Sequence, residues 1–193
     1  MGGISDAGEG GAFSGRRIVL GVCSSIAAYK AAELASRMTK LGADVRTVMT
    51  KNATKIISER VFSTLTRNPV GVDMWEKIPG WKPEHISLAE FAELIIVAPA
   101  TANTIGNLAN GLAPDLLSST CLASRAKMLI APAMNDAMYA HPAVRANIET
   151  LKGRGAAFVE PGDGPLACGT CGRGRLADTE DILAAAQTLL QSL

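Results

Sequence analysis

"ELIIVAPATANTIGNLANG", residues 93–111, decides the fold. Residues 93–100 are almost continuously apolar, with no alternation, which is the pattern of a strand buried on both faces. Thr101 then stands where a helix N-cap belongs, and Gly111 where a helix stops. A doubly buried strand that feeds straight into a capped helix is one half of a βαβ unit. The pattern recurs downstream, where "AKMLIAPA" (126–133) is a second buried strand and "HPAVRANIETLKGRG" (141–155) a helix with Pro142 in its first turn.

Working toward the N-terminus, "RRIVLGV" (16–22) predicts a strand, "SSIAAYKAAELASRMTKLG" (24–42) a serine turn and helix, and "ADVRTVMT" (43–50) a second strand. Two strands joined through a helix must run parallel. Residues 52–67 predict a helix, 71–83 a loop carrying Trp75 and Trp81, "ISLAEFA" a short helix and "DLLSSTCLAS" another. "AAFVEP" predicts a last strand, 161–175 a glycine-rich loop, and "TEDILAAAQTLLQSL" a closing helix. Apolar strands alternating with helices specify a three-layer, doubly wound parallel α/β sheet. We expect a flexible N-terminal tail at 1–15 and one domain over 16–193.

A chain of 193 residues that is 48% hydrophobic can bury a full core. Its formal charge of +1 leaves no basic footprint for nucleic acid. Nothing approaches the roughly 18 apolar residues of a membrane span, and the start lacks the basic and apolar regions of a secretory signal. Cys23, Cys121, Cys168 and Cys171 do not make a disulfide framework, so free thiols and a cytoplasmic location are expected. No metal site is expected: Cys168 and Cys171 form one C-x-x-C without the second pair that zinc needs.

In such sheets ligands bind beyond the carboxyl ends of the strands, where strand order reverses. There the sequence places Ser24 and Ser25, then Thr50, then Thr101, Asn103 and Thr104, then Met134 and Asn135. Hydroxyls and free N–H groups at a helix start suit an anion. With neither G-x-G-x-x-G nor a P-loop present, a mononucleotide fits better than a dinucleotide or ATP. Ser24 or Ser25 as a plain helix cap is an equal reading at this point. Other choices also stay open: His85 as a helix-start residue or a catalytic base, and Asn135 as a cap or a ligand donor.

Three separated motifs, "HISLAEFAELIIVAPATANTIGNLANGLAPDLLSST", "APAMNDAMY" and "LACGTCGRGR", resemble the flavin-dependent cysteine decarboxylases, most of all their coenzyme A branch. The resemblance implies a flavodoxin-like, Rossmann-like flavoprotein holding FMN through Ser24, Ser25, Ile26, Thr50, Thr101, Ala102, Asn103, Thr104 and Ala133. It implies catalytic roles for His85, for Asn135 as holder of the substrate carboxylate, and for Cys168 as a proton donor. The implied route oxidises a terminal cysteine to a thioaldehyde, releases carbon dioxide to give an enethiolate, and in the coenzyme A branch reduces that to a thiol. The implied substrate is 4′-phosphopantothenoyl-cysteine, and the implied assembly a homotrimer or homododecamer with FMN at a subunit boundary. The alternatives are a peptidyl-cysteine oxidative decarboxylase of modified-peptide biosynthesis and a non-catalytic FMN-binding regulatory subunit. Tyr139, where the family often has Trp, Pro114, where it often has an acid, and the additional Cys171 depart from its pattern.

Overall fold

The structure is a computed structural model that describes residues 11–76, 81–165, 169 and 171–192. The chain runs β1 (Arg17–Val22), α1 (Ala28–Lys40), β2 (Asp44–Met49), α2 (Glu59–Thr66), β3 (Val70–Gly71), α3 (Glu84–Phe91) and β4 (Leu94–Ala100). It continues through α4 (Ala102–Ala109), α5 (Leu116–Ala123), β5 (Lys127–Pro132), α6 (Asp136–Ala140), α7 (Pro142–Gly153) and β6 (Ala157–Phe158). A hairpin, β7 (Gly162–Pro165) and β8 (Cys171–Arg175), precedes α8 (Thr179–Gln191).

The six-stranded sheet has the order β3-β2-β1-β4-β5-β6, and every neighbouring pair is parallel. Order reverses between β1 and β4, which opens a crevice at their carboxyl ends. Alternate residues along β1 show why both faces are apolar. Ile18, Leu20 and Val22 face a core with Leu34 and Met38 of α1, Phe62 of α2 and Ile182 of α8. Val19 and Cys23 face another with Leu88 of α3, Ile105 of α4, Leu117 of α5 and Ile148 of α7. Each such fully buried large side chain contributes on the order of 1.5–3 kcal/mol.

Several sequence expectations need correction. Residues 52–67 are not one helix: a 3₁₀ turn at Ala53–Lys55 comes first, and α2 starts afresh after Ser58, whose hydroxyl accepts from the Arg60 N–H. The 161–175 loop contains the antiparallel β7–β8 pair. His85 lies within the first turn of α3 instead of ahead of the helix. The tail is shorter than 1–15: Phe13 is only 1% exposed, and its N–H donates to the Leu41 carbonyl. An apolar ring that reaches the core docks the residues around it. The earlier part of that tail, residues 1–10, lies outside the described residues, as does Cys168.

Candidate functional site

A cavity of about 620 Å³ sits over the carboxyl edge at the order reversal, within the range of small-molecule sites. Ser24, Ser25, Ile26, Thr101, Ala102, Ala133 and Asn135 line it. Met134 and Met138 add apolar wall, and Gly174, Arg175 and Leu176 of the hairpin and its exit close one side.

The serine turn leads into α1 and lines the cavity. The residue at the N-cap of α1 is Ala27, which offers no side-chain cap, and the first turn carries no acidic side chain. Ser25 Oγ accepts from the Ala27 N–H at 3.3 Å. Ser25 thus makes a cap-like bond at the start of α1, as the plain-cap reading has it, and Ser24, Ser25 and Ile26 also line the cavity beside the positive end of that helix.

Thr101 caps α4, accepting from the Thr104 N–H at 3.3 Å. Thr104 is buried behind it and donates to Cys23 Sγ at 3.2 Å. Burial pushes the Cys23 thiol up to about 11 and Cys121 higher still, so both stay protonated and braced, unsuited to nucleophilic work. Thr104 and the exposed Asn103 are not among the lining residues. Thr50 is not either, yet its Oγ1 is buried without a hydrogen-bond partner among the described residues. An orphaned hydroxyl at this edge fits a polar ligand that supplies the missing partner.

Asn135 is a cap, as one of its two readings has it. It is the N-cap of α6, its Oδ1 accepting from the Ala137 N–H at 2.9 Å and the Met138 N–H at 3.3 Å. The carbonyl end is used in the cap, and the amide's donor end reaches the Asp136 carboxylate at 2.8 Å. The cap orients the donor.

His85 is half-buried on α3 and does not line this cavity. Sequence reasoning passed over Lys30 and Arg175. Both line the cavity and pair with Asp178, at 3.4 and 3.5 Å. Asp178 is the N-cap of α8 but makes no capping bond, because its carboxylate is turned to these cations. The available signal was a lysine in the first turn of a helix that starts at a hydroxyl-rich bend. Among the described residues no group of acidic, histidine or cysteine side chains could hold a metal ion, and no helix is long and apolar enough to cross a membrane.

The sequence matches the Flavoprotein family profile over residues 9–191. It is 46% identical over 172 residues to the coenzyme A biosynthesis bifunctional protein CoaBC of Bacillus subtilis, covering 89% of this chain and 42% of that protein. The chain thus spans less than half the length of this curated relative. Among solved structures, a mutant PPC decarboxylase complexed with pantothenoylaminoethenethiol superposes with a TM-score of 0.81 at 28% identity, covering 91% of this chain and 98% of that one. The FMN-dependent cysteine decarboxylase SpaF gives a TM-score of 0.80 at 32% identity, covering 93% and 97%.

Proposed function

The chain belongs to the Flavoprotein family, and from that premise we propose that it is an FMN-dependent decarboxylase acting on 4′-phosphopantothenoyl-cysteine in coenzyme A biosynthesis. The observation that carries the reading is the presence, in one cavity, of a serine turn at a helix start and an oriented asparagine amide. An anion-binding helix start and a carboxylate-binding amide are what this cofactor and substrate need. The family likeness to a PPC decarboxylase and to SpaF supports the same assignment.

FMN would be held by Ser24, Ser25, Ile26, Thr101, Ala102 and Ala133, with Thr50, Asn103 and Thr104 at its margin. When bound it supplies a two-electron acceptor for oxidation of the substrate's cysteine carbon. Asn135 holds the substrate carboxylate by a neutral donor, which orients the group without the strong stabilisation a lysine would give it before it departs. Lys30 and Arg175 at the rim suit the phosphomonoesters that both FMN and this substrate carry. His85 takes the thiol proton, and Cys168 returns a proton to the enethiolate after carbon dioxide has left.

His85 lies outside the cavity of its own chain, while Ile26, Tyr29 and Met138 on the cavity wall are 63%, 64% and 48% exposed. We take this as support for a homo-oligomer, a trimer or dodecamer, in which a second copy covers these side chains and brings the histidine. Exposed Cys171 and buried free Cys23 and Cys121 suit a reducing cytoplasm.

Mass spectrometry of anaerobic products from the yellow holoprotein tests the reading. 4′-Phosphopantetheine from phosphopantothenoyl-cysteine supports it. Colourless protein that fails to take up FMN overturns it, and turnover confined to a peptide ending in cysteine overturns the substrate.

A further inference from the structure

A polar junction centred on Glu160, just after β6, contains none of the residues that line the cavity. Its Oε2 accepts from the Tyr139 hydroxyl at 2.6 Å and from Arg173 Nη2 at 3.2 Å, and its Oε1 from Lys152 Nζ at 3.3 Å. Ion pairs at the surface contribute little by themselves. The phenol differs: Tyr139 is 4% exposed, and its hydroxyl makes a short, charge-assisted bond to the carboxylate. Burial and then this bond push the tyrosine up to about 12, while the same bond, followed by Lys152 and Arg173, holds Glu160 below the usual carboxylate range.

Tyr139 and Arg173 belong to two different elements that meet residues 134–136. Tyr139 is on α6, and its N–H donates to the Asn135 carbonyl at 3.0 Å. Arg173 sits on β8 between two glycines whose bare faces press on residues 134–136. A Cβ on Gly174 would come within 2.2 Å of the Met134 carbonyl oxygen, and one on Gly172 within 2.8 Å of Asp136 Cβ. The Met134 N–H also donates to the Gly174 carbonyl at 3.0 Å. The glycines meet the loop, and Arg173 ties the same strand to Glu160.

We infer that Glu160 is a positioning residue: by holding α6 and β8 together through Tyr139 and Arg173, it fixes where the Asn135 donor points and so sets affinity for the substrate carboxylate. This rests on the proposed role of Asn135.

The test compares two ligands by titration calorimetry on FMN-loaded protein. One is the serine analogue of the substrate, with hydroxyl for thiol so that it does not turn over; the other is its ethanolamine counterpart, which lacks the carboxylate. Wild type should prefer the first by about 10- to 100-fold, as expected for a hydrogen bond to a charged group. In Glu160→Gln and in Arg173→Met that preference should shrink to about threefold or less, with ethanolamine-analogue affinity held within about twofold. A preference unchanged in both variants overturns the inference alone, and so does equal weakening of both ligands, the mark of general damage. A wild type with no preference removes the role of Asn135 and the inference with it.

Discussion

Replacing Gly174 with alanine should open the β7–β8 hairpin without unfolding the sheet beneath it. The new methyl would lie 2.2 Å from the Met134 carbonyl oxygen and 3.3 Å from the Asn135 carbonyl carbon. Carbon–oxygen contacts settle near about 3.3 Å, so the strand must move by roughly 1 Å. Gly174 has no positive φ, which leaves sterics as the sole cause. Overpacking against rigid backbone falls at the upper part of the about 1–3 kcal/mol range. Loss of the Met134 N–H bond adds about 1 kcal/mol. A total of about 3–4 kcal/mol multiplies the open population by roughly 150- to 1,000-fold. The hairpin is its own two-stranded sheet, so the cost falls on local opening. The melting temperature should drop less than the about 2–4 °C per kcal/mol of a global effect in a domain of this size. Native-state proteolysis or hydrogen exchange of the hairpin provides the assay. A Gly174→Ala hairpin no more open than that of wild type refutes the reasoning.

Asn135→Asp keeps an acceptor for the Ala137 and Met138 N–H groups, so α6 should stay capped, while substrate affinity falls at least about 10- to 100-fold by calorimetry. His85→Asn should retain FMN but slow carbon dioxide release by about 10²–10⁴, and unchanged turnover would make it a helix-start residue only. Glu160 is held below its ordinary value, so its contribution to stability is present above the unfolded pKa of about 4.3 and is lost as pH falls through the lower folded value. Urea midpoints measured from pH 7 to pH 3 should therefore fall less steeply in Glu160→Gln than in wild type. Cys168→Ser should leave decarboxylation intact and accumulate an enethiol, detected by mass; a wild type that also stops at the enethiol points to the peptide-directed chemistry.

The parallel sheet was legible because β1, β4 and β5 spell their double burial in uninterrupted apolar runs, and the cavity followed from the polar residues that end those runs. What escaped the sequence is what depends on distant partners. β8 reads "CGRGR", with no apolar periodicity, because its glycines are selected for contact with residues 134–136 and its arginines for Glu160 and Asp178. β3 has two residues, too few to leave a pattern, whereas the equally short β6 was legible within "AAFVEP". Asn135 could be read as a cap or as a donor, and nothing local reveals that it is the cap that aims the donor.

The order reversal also has a mechanical consequence. The apolar layers on the two faces of the sheet meet only through the strands between them. The cavity wall takes Ala133 and Leu176 from one layer's cluster and Met134 from the other's margin. A ligand seated there touches both layers and adds a brace to the Met134–Gly174 bond already at this edge. Its binding energy, about 2.7 kcal/mol at a hundredfold excess over Kd, is then felt by both layers at once, so loading the site should sharpen the unfolding transition as well as raise it.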